Sequence, residues 1–250
     1  DNDVCLEAYD GTIITVYNYK GEWHFGTSSC PDANSSKFSH PTKSHGNMLD
    51  EILYKFYKGT GDIGEHELNM LSYEDISKKL RNAFVSNLDP NMAYEFIIIH
   101  HENVHIINYK DILGPDYMEL FHINTKNRST HVEDIALTQI DPLIGLGVKY
   151  PMRFTSIQDA YSYINATPYS YGLIVKKNIN GVTKLYKIST DIINHREETD
   201  PCHPNLWMNI LSVYMKNKHD YTIKDYISNY NPNMVFPIDN NGKNVDATYL

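Results

Sequence analysis

From residue 4 to residue 25 the chain is crowded with β-branched and aromatic positions, as in Gly11-Thr-Ile-Ile-Thr-Val-Tyr-Asn-Tyr19. Lys20-Gly21 interrupts this run and Glu22-Trp-His-Phe25 resumes it, which predicts two paired strands. Residues 28–44 are dense in Ser, Pro and Asn and predict a loop. Asn47 is the expected cap of the next segment, where Met48, Leu49, Ile52, Leu53 and Phe56 recur at helical spacing. After a glycine-broken loop over 59–64, a helix is expected over 73–85, capped by Ser72 with Asp75 three residues on.

Residues 93–108 read Ala-Tyr-Glu-Phe-Ile-Ile-Ile, then His-His-Glu-Asn, then Val-His-Ile-Ile-Asn, the pattern of two strands meeting at a polar turn. Residues 117–123 predict another strand. Helical stretches are expected within 134–147 and 155–165, the second opening on Thr155, Ser156 and Asp159. Segments 171–177 and 183–189 should pair across Asn180-Gly181, a strong two-residue hairpin signal. Residues 205–216 and 222–230 are amphipathic in the helical sense, and a loosely ordered tail is expected from 231. The pattern is that of an α+β chain built on antiparallel hairpins with helices between them.

Length and charge narrow the partners. At 250 residues the chain has room for a full-sized core, and we expect one domain over 1–200 with a helical extension and tail over 201–250. Apolar residues make up 41 % without any run long enough to span a bilayer as a helix, so no membrane association is expected. Asp and Glu outnumber Lys and Arg by 31 to 22, and the net charge of −9 opposes extended, nonspecific nucleic-acid binding. Three widely spaced cysteines, Cys5, Cys30 and Cys202, argue against a disulfide framework and for an intracellular, cytoplasmic setting. The first residue is Asp rather than Met, so a natural N-terminus is expected to be missing.

His101-Glu102-Asn103-Val104-His105 matches the string in which two helical histidines hold zinc and a glutamate acts as base, a metallopeptidase reading. That chemistry needs a helix to put both imidazoles on one face, yet the pentapeptide lies between Phe-Ile-Ile-Ile and Ile-Ile-Asn-Tyr, where a His-rich turn is the simpler reading. Cys202-His203 with His195 lacks a convincing fourth metal ligand, and Gly145-Leu-Gly147 lacks the strand and third glycine of a phosphate loop. No bound metal is expected.

A distributed constellation is more informative: Glu7-Ala-Tyr-Asp-Gly-Thr12, Trp23-His-Phe-Gly-Thr27, Tyr94-Glu-Phe96, Tyr171-Gly-Leu-Ile-Val175 and Tyr186-Lys-Ile-Ser189. In order and spacing it resembles the ATP-dependent RNA ligases of the bacteriophage T4 RNA ligase 1 type, within the covalent nucleotidyltransferases, over nearly the whole chain. The resemblance extends to the connecting text, with residues 103–109 as the return strand after the third motif, 154–159 as the helix before the fourth, and 205–230 as the helical segment after the fifth. It implies a nucleotidyltransferase domain, an ATP-grasp-like adenylation fold of antiparallel sheets with flanking helices, followed by a C-terminal helical segment.

In that family a lysine attacks the α-phosphate of ATP and passes AMP to an RNA 5′-phosphate, carboxylates hold the metal, and lysines neutralise phosphate charge. Here Ala8 stands at the nucleophile's position, while Asp10, Gly11 and Thr12 fit. Ser28 replaces a basic residue, Tyr171 stands where a metal-linked Glu should precede Gly172, and Lys187-Ile188-Ser189 keeps one lysine of two. The resemblance therefore implies a catalytically inactive homologue whose nucleotide-binding residues are Glu7, Asp10, Gly11, Glu95, Phe96, Gly172 and Lys187. Its expected ligand is ATP or another nucleotide with Mg2+, an RNA end, or a protein partner, and it implies an origin in a phage or virus. The alternatives are an active ligase whose nucleophilic lysine has been substituted, and zinc chemistry at His101 and His105.

Overall fold

The computed structural model describes residues 3–37, 42–61, 63, 71–167, 170–179, 182–190 and 193–194, together with Met208, Leu211 and Met215. Among the described residues, eight strands form two four-stranded sheets whose named strand pairs are all antiparallel. The first contains β1 (Val4–Glu7), β6 (Arg153–Phe154), β7 (Leu173–Ile179) and β8 (Val182–Ile188), in the order β6-β1-β7-β8. The second contains β2 (Thr12–Tyr19), β3 (Glu22–Thr27), β4 (Met92–His100) and β5 (Met118–Asn127), in the order β3-β2-β4-β5. The α+β class expected from the pattern is the observed one.

Helices α1 (His45–Thr60) and α2 (Tyr73–Val85) cover one face of the second sheet. Strand alternation puts Ile14, Val16, Phe96, Ile98 and Leu120 on that face, against Met48, Leu49, Ile52, Leu80 and Phe84 of the helices. Helix α2 has its expected bounds and cap, with the Asp75 N–H donating to the Ser72 hydroxyl at 3.2 Å. Helix α1 is capped by Ser44 rather than Asn47. The Asn47 N–H donates to Ser44 Oγ at 3.1 Å while Asn47 Oδ1 accepts from the Ser44 N–H at 3.0 Å, so Asn47 closes a capping box from the third helical position. Short α3 (Lys110–Leu113) and α4 (Asp141–Leu146) lie in connections, the second a fraction of the helical content expected over 134–147. Helix α5 (Ile157–Ala166), capped by Ser156 as expected, packs on the first sheet through Ala160 and Ile164 against Cys5, Leu173 and Val175.

Two strand expectations are corrected. Residues 4–25 give three strands, because β1 leaves for the other sheet while β2 and β3 form the predicted hairpin around Lys20-Gly21. Residues 104–108 are not a strand, so the proposed return over 103–109 is absent. On this edge β4 pairs instead with β5, which begins at Met118 after the segment 101–117, and Ile106 and Ile107 in that segment donate to Asp10 rather than to a ladder. Strands β7 and β8 pair from Leu173↔Ile188 to Ile179↔Val182, leaving a two-residue connection as expected. The turn residues 180–181, the metal-cluster candidates His195, Cys202 and His203, and the expected helices over 205–216 and 222–230 lie outside the described residues, apart from Met208, Leu211 and Met215, which are helical. No helix among the described residues is long and apolar enough to cross a membrane.

Candidate functional site

Strand β1 is short, and its alternation decides what meets the space between the sheets. Cys5 packs toward α5, so Leu6 and Ala8 fall on the opposite side. They line a cavity of about 240 Å³ with Ile13, Ile97 and Ile123 from the second sheet and Ile174, Lys176 and Leu185 from the first. Tyr171, Glu95, Asn124, Glu7, Tyr9 and Pro151 complete its wall. The volume is below the roughly 300–1,000 Å³ usual for small-molecule sites.

The polar end is built on an irregularity. Pairing between β4 and β5 shifts register between Glu95 and Phe96: Phe96 opposes His122 and Glu95 opposes Asn124, leaving Ile123 as an extra residue. Both Ile123 and Asn124 thereby reach the cavity. Asn124 Nδ2 donates to Glu95 Oε2 at 3.2 Å, and the buried Lys176 donates from Nζ to Asn124 Oδ1 at 3.0 Å and to the Ile123 carbonyl at 3.2 Å. Burial pulls the Lys176 ammonium below the ordinary lysine range, while Glu133, Glu95 and Asp134 pull the other way. A carboxylate, an amide and an ammonium side by side can satisfy hydroxyls and ring nitrogens together.

Of the residues singled out in the sequence, Glu7, Ala8, Glu95 and Tyr171 gather at this cavity. Lys187 stands beside it with its ammonium 3.9 Å from the centre of the Tyr171 ring. Asp10 serves the fold instead. Its carboxylate accepts the Ile106 and Ile107 N–H groups, the latter at 3.0 Å, and its own N–H donates to the Tyr109 hydroxyl at 2.8 Å. Burial raises the Asp10 carboxyl and lowers His105, whose Nδ1 lies 4.0 Å away. Gly11 is required by close approach, since a Cβ there would lie 2.5 Å from the Ile98 carbonyl oxygen. Phe96 points the other way, into the helix-side core, with its ring edge to Phe84. Gly172 abuts the Ile188 backbone, and Ser189 follows the end of β8 without lining the cavity. Asn124, Ile174, Lys176 and Leu185 were missed. The signal for Lys176 was present: a lysine sharing strand parity with Ile174, at an inward position of a hairpin.

A nucleoside unit suits this donor set better than a metal-bound triphosphate. Mg2+ asks for several hard oxygen ligands, whereas the cavity carboxylates are Glu95, bonded by Asn124, and Glu7, which accepts the Tyr9 and Tyr163 hydroxyls. Asp10 is turned to the backbone. The residues present do not fit a Mg2+ ion.

The zinc reading fails on geometry. Residues 101–103 form a turn after β4, so no helix puts His101 and His105 on one face, and His105 Nε2 bonds the His100 carbonyl at 3.1 Å. His100, His101 and Glu102 do bring ligand atoms within 4.8 Å of one another. However, His100 Nε2 faces Glu51 at 2.9 Å, its Nδ1 accepts the Glu102 N–H, and the Glu102 carboxylate is paired with Lys43.

No protein-family profile and no curated protein matches the chain. Among solved structures, an archaeal ATP-dependent RNA ligase is similar over 93 % of this chain and 56 % of its own, at 11 % identity and a TM-score of 0.43. A mutant of the Naegleria gruberi RNA ligase solved with ATP and Mn is similar over 78 % of this chain and 51 % of its own, at 11 % identity and a TM-score of 0.45. The same ligase with PPi gives 11 % identity and a TM-score of 0.43 over the same shares. The chain thus spans about half the length of these ligases.

Proposed function

We propose that this chain is a ligase-like nucleotidyltransferase homologue that holds the nucleoside part of a nucleotide, free or at an RNA end, without forming a covalent adduct. The observation that carries the reading is Ala8: the residue at the nucleophile's position lines the cavity between the sheets, and its methyl group offers no atom that could attack phosphorus. Around it Tyr171 replaces a carboxylate, and Lys187, the lysine retained in the last motif, lies on the tyrosine ring. Binding falls to Glu95, Asn124 and Lys176, which together offer acceptors and donors to sugar hydroxyls and base edges, while Ile123 and Ile174 supply apolar walls. The net charge of −9 opposes an extended electrostatic footprint and leaves recognition to this local polar cluster.

Calorimetric titration with ATP and GTP, with and without Mg2+, beside intact-mass measurement tests this reading. The expected result is saturable binding that does not depend on Mg2+ and no gain of an AMP or GMP mass. A covalent adduct would overturn the noncovalent reading, and absence of binding by both nucleotides would overturn the nucleotide pocket. The Ala8→Lys protein is expected to stay free of adduct, because Ser28, Tyr171 and Ser189 still lack the family's charges; adenylylation of that variant would instead favour an active ligase whose lysine has been substituted.

A further inference from the structure

A second, larger cavity of about 810 Å³ shares only Glu7, Ala8 and Tyr9 with the first. Its wall is unusually aromatic: Tyr9, Tyr109, Phe121, Tyr150 and Tyr163 all reach it, with Tyr9 stacked on Phe121 at a centroid distance of 4.0 Å. The Glu7 carboxylate projects among these rings and is pinned from both sides, Oε2 accepting the Tyr9 hydroxyl at 2.8 Å and Oε1 the Tyr163 hydroxyl at 3.0 Å. These two partners are neutral. The other charged lining residues are Glu119 and Lys149, which pair with each other at 2.8 Å, so the wall carries one net negative charge, centred on Glu7. Lys149 also lies 5.9 Å from the Phe121 ring centre, a cation already resting against this aromatic surface.

We infer that this cavity binds an alkylammonium group, with Glu7 as counter-charge and the tyrosine and phenylalanine rings as its cage. Ring faces carry negative potential and attract a cation that gives up its water, and bulky methylated ammonium groups give it up most easily. A fixed carboxylate held by two hydroxyls supplies the long-range attraction while its orientation stays set by the same rings. An anionic ligand would meet Glu7 with no cation to spare, since Lys149 is engaged by Glu119. Glu7, Ala8 and Tyr9 line both cavities, but the inference rests on the aromatic wall around Glu7 and not on the Glu95, Asn124 and Lys176 cluster, so choline binding and nucleotide binding can fail independently.

Titration of the protein with choline and with its uncharged isostere 3,3-dimethylbutan-1-ol, followed by nuclear magnetic resonance shifts of the tyrosine rings, tests the inference. Choline should saturate, and the isostere should bind at least roughly tenfold more weakly. Glu7→Gln should lose about the same factor, and Tyr163→Phe, which keeps the ring and frees one side of the carboxylate, should lose less. N-acetyl trimethyl-lysine amide distinguishes the source: tighter binding than choline points to a methylated lysine of a protein, weaker binding to a free small cation. Equal affinity for the isostere, no saturation by either cation, or undiminished choline binding by Glu7→Gln would overturn the proposal. The isostere comparison uses the unaltered chain and so holds even where the variant fails to fold.

Discussion

At Gly172 the backbone takes a φ of 128°, and a methyl group added there would lie 2.2 Å from the Ile188 carbonyl oxygen. Glycine is thus demanded by β8 packing against the start of β7, independently of any ligand. Gly172→Ala should lower stability by at least about 1–3 kcal/mol, read as a drop in the denaturant midpoint with unchanged slope. Lys176 makes the opposite case, a residue whose burial is costly and whose partners are in the cavity. Lys176→Met removes the ammonium bonded to Asn124 and the Ile123 carbonyl, and on the proposed nucleotide reading affinity should fall roughly tenfold in calorimetric titration. Its melting temperature should change less than the affinity, because the desolvated charge is gone and offsets part of the cost of leaving the Asn124 and Ile123 oxygens without their donor. A large loss of stability with unchanged affinity would assign Lys176 to the fold alone.

Among the elements, α1 and α2 are joined by one buried ion pair. Arg81 Nε meets Asp50 Oδ1 at 2.7 Å and its Nη2 meets Oδ2 at 3.0 Å, with further bonds to Asn34 Oδ1 and the Gly46 carbonyl. Asp50 is only 4 % exposed, so Arg81→Ala leaves a buried carboxylate without its cation and should cost about 3–5 kcal/mol in chemical denaturation. Replacing both residues by apolar ones of similar size should cost less than this single change. Much at this scale was legible in the sequence: the Ser72 and Ser156 caps, the apolar stripe of α1 and the β2–β3 and β7–β8 hairpins all follow from local pattern. The β4–β5 pairing was not, because residues 104–108 are as β-branched as a strand, and only the Asp10 carboxylate, 96 and 97 residues away from its partners, draws their N–H groups out of a ladder.

Across the whole molecule the buried histidines contribute to a loss of stability in acid. Burial lowers His100 and His122 from their ordinary value near 6.5 to about 4, and the stacked His101 adds to the effect at His100. Between those values the unfolded chain binds protons that the folded chain does not, so stability falls as pH drops from about 6.5 to 4, by up to about 3 kcal/mol for each histidine. Denaturation midpoints measured across this window should show that slope, and the His100→Gln, His122→Gln pair should reduce it, leaving the part due to His45 and His105, which burial also lowers. A slope unchanged in the double variant would place the acid sensitivity elsewhere.

The sequence by itself determined the α+β class and most element positions, because these depend on local periodicity and capping. The tertiary structure decided which candidates share a site. Strand alternation sends Phe96 to the helix-side core, backbone N–H groups claim Asp10, and the register shift after Glu95 turns Ile123 and Asn124 together toward Lys176. Register and burial are set by partners distant in the chain, and it is their packing that converts a run of residues into a cavity with a polar end.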